Sequence, residues 1–363
     1  MRRSIRFFYS AWSALGPPDR DGFMRVLVVG GTGFIGPFVL QRLRSLGHQV
    51  TIYHRGKTEI SLPYDIQHLH GDRRYIPDFA GDLRRLRPEV VIDMRPMTES
   101  DARVVVDTLR GIARRIVAIS SMDVYRAYDR LHRKDPGPPD PVPLSEDAPL
   151  REKLYPYRGS GREYEGRSLD DYDKIPAERA VMGEPEMPGT VLRLPMVYGP
   201  GDNQHRLFAE LKRMDDGRPA ILLDEGLACW RWTRGYVEDV AAAIALAATD
   251  DRASGRIYNV GEADTLSMEE WVRAIGCEAG WSGEVVIAPH GTLPRAMTWD
   301  IETAQDLVCD TTRIRAELGY EDSVPRDEAL RRTIAWERQH PPAEVPEGLF
   351  DYAAEDEVLA GLG

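Results

Sequence analysis

The sequence predicts an α/β fold, in which a doubly wound parallel sheet is followed by a smaller C-terminal α/β lobe. Three observations predict it. The apolar run 26–29 is followed by four glycines and then by an amphipathic helical pattern. Further short apolar runs alternate with helical patterns of about 10 to 15 residues, an order typical of parallel strands joined by helices. At 363 residues, the chain is long enough to add a second lobe.

A glycine turn, residues 30–36, directly follows the first predicted strand. Its glycines fit both G-x-G-x-x-G (Gly31, Gly33, Gly36) and G-x-x-G-x-x-G (Gly30, Gly33, Gly36). Glycine lets a pyrophosphate approach the backbone, and the start of the following helix favours negative charge. The turn therefore predicts a Rossmann-type dinucleotide site. The candidate cofactor-binding residues here are Gly30, Gly33, Phe34, Ile35 and Gly36.

Six more strands are expected along the chain, and four later helices have clear signals. The strands are 48–54, 66–70, 89–93, 115–120, 190–194 and 256–260. The helices are 98–110, 172–182, an alanine-rich helix that ends at Ala248, and one that begins after Ser267, where Glu270 completes a capping box.

The segment 126–169 breaks this regularity. Its proline-rich run 135–143 excludes a helix or a central strand. A loop of this length in a compact domain is often a functional lid. Three tyrosines of the loop either line a pocket or pack the loop itself: Tyr155, Tyr157 and Tyr164.

Cationic residues follow the second predicted strand, where NAD-specific sites usually carry a carboxylate. His54, Arg55 and Lys57 stand there. Because cations attract the 2′-phosphate of NADP, NADP is the expected cofactor and NAD the alternative; a solvated basic turn is the other explanation. After the third strand, Asp72 either accepts from the adenine amino group or serves as a turn residue. The adjacent Arg73 is counted with the cofactor site.

Composition narrows the class of protein. The net charge of −12 argues against a nucleic-acid surface, which is normally basic. No apolar run approaches the ~18 residues of a membrane span. Cys229, Cys277 and Cys309 are scattered and form no C-x-x-C pair, so neither a disulfide scaffold nor a metal site is expected. A cytoplasmic protein is the default for such cysteine usage.

Changes in pattern suggest the domain boundaries. Residues 1–23 form an N-terminal extension, which a poorly ordered segment or an upstream start codon explains better than an export signal. Residues 24–195 form the dinucleotide-binding domain, to which 236–262 return. A substrate-binding lobe is expected from 196–235 and 263–340, and residues 341–363 form an acidic tail expected to be solvated.

An ordered set of motifs resembles the extended short-chain dehydrogenase/reductases, the NAD-dependent epimerase/dehydratase group. The motifs are residues 30–36, 71–72, 119–125, 192–200, 237–240, 258–261 and 310–319. Arg55 and the strand end 91–94 are most similar to atypical members of the group. The expected partners are a small-molecule substrate and a second copy of the chain, with neither nucleic acid nor membrane.

In that family, a Ser or Thr works with a Tyr-x-x-x-Lys pair, in which Tyr exchanges a proton with the substrate and Lys holds the nicotinamide ribose. Ser121 matches the serine by its distance to Tyr125. The pair is altered, because Pro176 stands four residues after Tyr172 and Asp170 stands four before Lys174. The resemblance therefore assigns catalysis to Ser121, Tyr172 and Lys174, with Lys174 also at the cofactor and a loop tyrosine as the rival proton carrier.

The resemblance implies an NAD(P)-dependent epimerase, dehydratase or reductase that acts on a nucleotide-linked sugar or a related polar alcohol or carbonyl. The candidate substrate contacts are Arg193, Tyr198, Asn203, Arg231 and Arg234. Arginines suit the geometry of a diphosphate, although salt bridges explain any one of them equally well. Because the Tyr-Lys pair is altered, a non-catalytic NAD(P)-binding sensor or scaffold is the alternative. RNA binding, as in some atypical relatives, is disfavoured by the charge.

Overall fold

The computed structural model describes residues 23–57, 65–164 and 166–362. All but the last residue of the predicted N-terminal extension, 1–23, and the question of an export signal lie outside the described residues. The strands are β1 (Arg25–Val29), β2 (Gln49–His54), β3 (Gln67–His70), β4 (Val90–Asp93), β5 (Arg115–Ser121), β6 (Glu163–Tyr164), β7 (Arg167–Ser168), β8 (Gly189–Leu194), β9 (Met196–Tyr198), β10 (Ala220–Asp224), β11 (Arg234–Tyr236), β12 (Ile257–Asn259) and β13 (Glu284–Ala288). The helices are α1 (Gly36–Ser45), α2 (Ala80–Leu86), α3 (Glu99–Leu109), α4 (Arg126–Leu131), α5 (Lys174–Met182), α6 (Phe208–Asp215), α7 (Glu225–Cys229), α8 (Val237–Thr249), α9 (Met268–Ala279), α10 (Thr312–Leu318), α11 (Arg326–Gln339) and α12 (Tyr352–Leu362).

Seven strands form one parallel sheet in the order β3-β2-β1-β4-β5-β8-β12. The chain runs outward from β1 to β3, then returns to the other side of β1 and continues from β4 to β12. Where the order reverses, between β1 and β4, a cleft opens at the carboxyl ends of the strands. The predicted doubly wound parallel sheet is confirmed.

Alternation along β1 explains the two helical layers. Val26 and Val28 belong to the hydrophobic cluster on one face of the sheet, which α1 and α8 cover. Leu27 and Val29 belong to the cluster on the other face, which α3 and α5 cover. All four side chains are at most 1% exposed, and a strand buried on both faces requires a layer of helices on each side.

The C-terminal part of the chain shares the core of the sheet. Leu223 of β10, Trp271 of α9 and Ile334 of α11 belong to the same hydrophobic cluster as Val28 of β1. The predicted capping box at the start of α9 is confirmed, because the Ser267 side chain and the Glu270 side chain each accept from the backbone N–H of the other residue. This shared core fixes the position of the C-terminal elements against the sheet.

The acidic tail differs from the expectation of a solvated segment. The tail ends in helix α12, and its Glu355 is 1% exposed. Glu355 pairs at 2.8 Å with Arg213 of α6, while the Phe350 ring packs edge-on against Phe208. Net composition could not reveal this docking, because it depends on particular partners in α6 and not on the average polarity of the segment.

None of the helices in the described ranges reaches the length and hydropathy that a membrane crossing requires.

Candidate functional site

A cleft of about 790 Å³ lies at the carboxyl ends of the sheet strands. The glycine turn, the ends of β2, β4 and β5, and the β6–β7 hairpin of the long loop all line it. Ligand sites in doubly wound sheets occupy this crevice. The volume is within the range of small-molecule and cofactor sites.

The glycine turn has the backbone that a dinucleotide site needs. Gly30 and Gly31 have φ values of +89° and +87°, a region that other residues rarely adopt. A Cβ on Gly36 would overlap the backbone carbonyl of Gly31, so only glycine permits the tight turn into α1. A Cβ on Gly33 would meet no described atom within 4 Å, although Gly33 lines the cleft. The space that a side chain would fill there is therefore available to a ligand.

The start of α1 adds to this fit. No side chain caps the helix, whose N-cap is Ile35, and a proline occupies its first turn. Free N–H groups at a helix start favour a bound anion. Phe34 and Ile35 also line the cleft, together with Gly30 and Gly36. The glycine turn and α1 thus fit the pyrophosphate of a dinucleotide.

The cleft is also lined by the end of β2 and the residues after it, namely His54, Arg55 and Lys57, as expected for a cofactor site. The buried His54 ring hydrogen-bonds His68 and not a residue of the turn that follows β2. Desolvation and the neighbouring His70 and His68 rings lower the pKa of His54 to about 4, so its imidazole is neutral at pH 7. Positive charge at this end therefore comes from Arg55 and Lys57.

Asp72 and Arg73 line the cleft, but both already have partners. Asp72 Oδ1 accepts from the backbone N–H of Arg74 at 3.0 Å, and the Arg74 guanidinium lowers the pKa of Asp72 to about 2. Arg73 makes a bidentate ion pair with Asp93 at the end of β4, with both N···O distances 2.5 Å. Both residues brace the wall of the cleft, which is the turn role that the sequence left open for Asp72.

Ser121 ends β5 and lines the cleft. Its Oγ atom accepts from the backbone N–H of Asp123 at 3.2 Å, so its own proton is available to donate to a ligand. The neighbouring Ser120 is buried and donates at 2.5 Å to Glu178 of α5. Of the two serines, Ser121 is therefore the one whose hydroxyl can donate to a ligand in the cleft.

Tyr172 is not among the residues that line the cleft. Its hydroxyl donates at 2.5 Å to the buried carboxylate of Asp123. Burial and the Asp123 charge raise the pKa of Tyr172 well above its usual value of 10, whereas a proton-exchanging tyrosine needs a lowered pKa. The expected proton-carrier role of Tyr172 is therefore not supported by the geometry.

Lys174 is the first residue of α5, and Asp173 caps the helix. Tyr172 thus precedes the regular helix, which begins two residues later than the predicted range 172–182. The Lys174 Nζ atom is buried and donates to the carbonyls of Pro96 and Ile119 at 3.1 and 3.0 Å. Burial lowers the pKa of Lys174 to about 8. Lys174 lies behind the wall of the cleft and not on its surface.

Of the three loop tyrosines, Tyr164 is the one that lines the cleft. Its hydroxyl accepts from Asn203 Nδ2 at 3.3 Å, and the Arg95 guanidinium lies 4.8 Å from its ring centre. Tyr157 instead contacts Tyr128 and Tyr172, and so packs the loop. Sequence alone could not choose among the three, because the β6–β7 hairpin that presents Tyr164 has no strong strand pattern.

Of the five candidate substrate contacts, Asn203 lines the cleft and the other four do not. Arg193 is 2% exposed and makes a bidentate pair with Glu178. Tyr198 is buried against Tyr236 and Trp271. These two side chains build the core, which corrects the expectation that they contact substrate.

Arg231 and Arg234 also have structural partners. Arg231 is exposed and pairs with Asp306 at 2.7 Å. Arg234 is buried with its guanidinium 4.2 Å from the centre of the Trp271 ring, and burial lowers its pKa to about 10. The arginines that do line the cleft, and that sequence reasoning missed, are Arg74, Arg95, Arg167 and Arg206.

A cluster of three imidazoles stands beside the cleft: His54, His68 and His70. Their candidate ligand nitrogens all lie within 4.8 Å of one another. The sequence gives little sign of it, because His54 is brought to the other two only by the pairing of β2 with β3.

The sheet, the glycine turn and the cleft define a dinucleotide-binding α/β protein. The model of the NAD dependent epimerase/dehydratase family matches residues 26–136 and 174–261, which is more than half of the chain. The chain therefore belongs to this family.

Two relatives and one solved structure illustrate the likeness. The 2′-dehydrokanamycin reductase of Streptomyces kanamyceticus is 27% identical over 260 residues, 70% of this chain and 66% of the relative. The chloroplast stem-loop binding protein of 41 kDa b of Arabidopsis thaliana is 24% identical over 270 residues, 71% of this chain and 64% of the relative. The chain spans just under two thirds of the length of both. The UDP-glucose 4-epimerase of Thermotoga maritima, solved with UDP-glucose, has the same fold, with a TM-score of 0.62, 20% identity, and coverage of 87% of this chain and 99% of that one.

Proposed function

We propose that the protein is an NADP-dependent epimerase, dehydratase or reductase that acts on a nucleotide-linked sugar or a related polar alcohol or carbonyl. The observation that carries this proposal is one continuous cleft, lined by the glycine turn, by Ser121 and by Tyr164. The nicotinamide cofactor supplies the chemistry of hydride exchange. The chain holds the substrate and moves the proton.

The preference for NADP is assigned to Arg55 and Lys57, which line the cleft just after β2. Arg73 is committed to Asp93, and the Asp72 carboxylate to Arg74. Among the described residues at this point, we therefore find no carboxylate that is placed to bind the ribose 2′-hydroxyl of NAD. Two cations at this end support a 2′-phosphate instead.

The proposed catalytic pair is Ser121 and Tyr164. Ser121 donates its hydroxyl proton to the substrate oxygen, since its own acceptor position is used by Asp123 N–H. Tyr164 gives a proton to that oxygen during reduction or takes one during oxidation, and Asn203 donates to the Tyr164 oxygen. Tyr172 and Lys174 act from behind the wall: Tyr172 holds Asp123, and Lys174 fixes the end of β5.

A sugar-like substrate is supported by polar side chains that line the cleft outside the glycine turn. Asn203 and Arg206 precede α6 and line the cleft together with Arg167. Arg167 pairs with Asp101 and Arg206 with Asp202, so these guanidiniums are positioned before a substrate enters. The cleft contacts of Asn203 and Arg206 support our assignment of 196–235 to a substrate-binding lobe, and the range 263–340, which we also assign to that lobe, does not line the cleft. The relative in Streptomyces is named a 2′-dehydrokanamycin reductase, and the structurally similar Thermotoga epimerase was solved with UDP-glucose.

A non-catalytic sensor is the second candidate, and one observation favours it. Neither Tyr172 nor Lys174 lines the cleft, so the usual acid–base pair of the family is not presented to a ligand. RNA binding, suggested by the name of the Arabidopsis relative, is disfavoured by the net charge of −12. We further propose that the protein works in the cytoplasm, because its three cysteines are free thiols.

Turnover assays separate the enzyme from the sensor. Purified protein is mixed with NADPH or NADP and a panel of nucleotide sugars, their keto derivatives and an aminoglycoside ketone, and the nicotinamide absorbance is followed. We expect turnover with at least one substrate and a ~10²-fold or larger loss in Ser121→Ala. Tight binding of the cofactor with no turnover of any substrate would move the assignment to the sensor.

A further inference from the structure

Three histidines occupy one face at the edge of the sheet. β3 is the edge strand, and its His68 and His70 are two residues apart, so their side chains point to the same face. In the pairing of β2 with β3, His54 lies opposite His70 and Ile52 opposite His68. The parallel register therefore brings all three imidazoles to one side of the sheet.

The imidazoles are close enough to share one ion. His54 Nε2 and His68 Nδ1 are 2.9 Å apart, and the candidate ligand atoms of all three rings lie within 4.8 Å of one another. In a tetrahedral site with metal–nitrogen bonds of ~2.0–2.1 Å, two ligand nitrogens are about 3.3 Å apart. His68 and His70 are exposed, so small rotations of their side chains bring the three nitrogens to that spacing.

The surroundings of His54, as far as the structure describes them, leave one of its ring nitrogens without a partner. His54 is 8% exposed, and its buried Nδ1 atom has no hydrogen-bond partner among the described residues. A buried imidazole that hydrogen-bonds another histidine but no carboxylate is not explained by the folding of β2 alone.

We propose that His54, His68 and His70 form a binding site for a divalent transition-metal ion of the zinc type. Imidazole nitrogens select zinc, copper, nickel and cobalt over calcium and magnesium. Three protein ligands leave one coordination position for water or another small ligand. The expectation of no metal site rested on cysteine spacing. That spacing carries no information on histidines that are brought together by the pairing of two strands.

The test measures metal binding without cofactor or substrate, so it is independent of the proposed enzymatic function. Chelator-treated protein without an affinity tag is titrated with Zn²⁺ in competition with a chromogenic zinc chelator. A parallel titration with Co²⁺ is followed by visible absorbance, which reports the coordination geometry. We expect one ion per chain, a Co²⁺ spectrum of a four-coordinate site, and a higher midpoint of thermal unfolding when Zn²⁺ is present.

His70→Gln is the informative variant, because an exposed side chain on an edge strand is replaced without disturbing the core. Loss of a residue that only hydrogen-bonds a metal ligand lowers metal affinity by ~10- to 100-fold. We expect His70→Gln, which removes a proposed ligand itself, to lower the affinity for Zn²⁺ by at least as much. His340→Gln, an exposed imidazole at the end of α11, is the matched control and should bind Zn²⁺ as the wild type does. Circular dichroism of each variant confirms the fold. Equal Zn²⁺ affinities for the wild type and His70→Gln, or binding below one ion per chain, would overturn the proposal.

Discussion

The hydroxyl of Tyr172 donates a 2.5 Å hydrogen bond to the Oδ2 atom of Asp123. Asp123 is also the residue whose backbone N–H donates to Ser121 Oγ. Tyr172 is thus two contacts away from the serine of the cleft, on the far side of a buried carboxylate. Burial raises the pKa values of both Tyr172 and Asp123. The pair is a bracing contact behind the site, which shapes the first prediction.

Replacing each tyrosine by phenylalanine separates bracing from catalysis. Tyr172→Phe leaves Asp123 with one donor fewer, and we expect it to lower the free energy of unfolding by about 1–3 kcal/mol with kcat changed only a few-fold. Tyr164→Phe removes the proposed proton carrier, and should lower kcat by ~10²–10⁴ with little change in stability. Steady-state kinetics and urea unfolding measure both. The reverse pattern would return the proton role to Tyr172.

Two glycines of the same turn should fail in different ways. Gly33→Val places a side chain in the open space of the cleft, so we expect a folded protein that binds neither NADP nor NAD. Gly36→Ala drives a Cβ into the carbonyl of Gly31, so we expect it to destabilise the fold. Calorimetry with both cofactors and thermal unfolding provide the two readouts. Unchanged cofactor affinity in Gly33→Val would show that the dinucleotide site is elsewhere.

Reversing the charge at Arg55 tests the choice of cofactor. A hydrogen bond to a charged group contributes about 1.5–3 kcal/mol. Arg55→Asp should therefore weaken the binding of NADP by ~10- to 100-fold and the binding of NAD much less. Arg252→Asp is the control, since it makes the same charge reversal at an exposed ion pair with Asp250. Binding constants for both cofactors decide the matter. A wild type that prefers NAD, or equal losses for the two cofactors, contradicts the prediction.

Lys174 should make stability depend on alkaline pH. Its pKa is about 8 in the folded chain against 10.5 for an ordinary lysine, so the unfolded chain binds the extra proton between these values. Stability therefore rises with pH through this window. We expect the free energy of unfolding of the wild type, relative to Lys174→Met, to increase between pH 8 and 10.5, by up to about 3 kcal/mol. Urea unfolding of both proteins across that range tests the sign; a flat difference would refute it.

The buried pair of Glu178 and Arg193 should be costly to break. Arg193 donates to both Glu178 oxygens at 3.0 and 2.8 Å, and the two side chains are 6% and 2% exposed. We expect Glu178→Gln to lower the free energy of unfolding by about 3–5 kcal/mol, because it leaves a buried guanidinium without its counter-charge. Glu99→Gln, in an exposed pair with Arg103, should cost no more than about 0.5 kcal/mol. Similar losses in both variants would contradict this account.

The sheet was predictable because its signal is local. A strand such as β1, buried on both faces, must be a continuous apolar run, and glycines with positive φ must follow it at fixed spacing. The start of α9 was predictable for the same reason, since a capping box lies within four residues. For these elements the sequence contains the whole physical cause.

The candidate site was less predictable because its contacts are distant in sequence. Arg193 has the residue type of a diphosphate contact, yet it is neutralised by Glu178, and Arg234 is covered by Trp271. Neither partnership follows from spacing. The histidine cluster likewise depends on the register of two strands. The position of Tyr164 depends on a hairpin whose two strands have only two residues each. Residue type predicts what a side chain can do, whereas only the fold decides what it contacts.

The order of strands also has a consequence for synthesis on the ribosome. Asn259 of β12 accepts from the Tyr125 hydroxyl, and its backbone N–H donates to the Glu146 carboxylate. These partners emerge more than a hundred residues before Asn259 does. The nascent sheet must therefore wait, with β8 as an open edge, until β12 is translated. During that interval β8 presents an unpaired strand edge, a kind of surface that other chains can pair with.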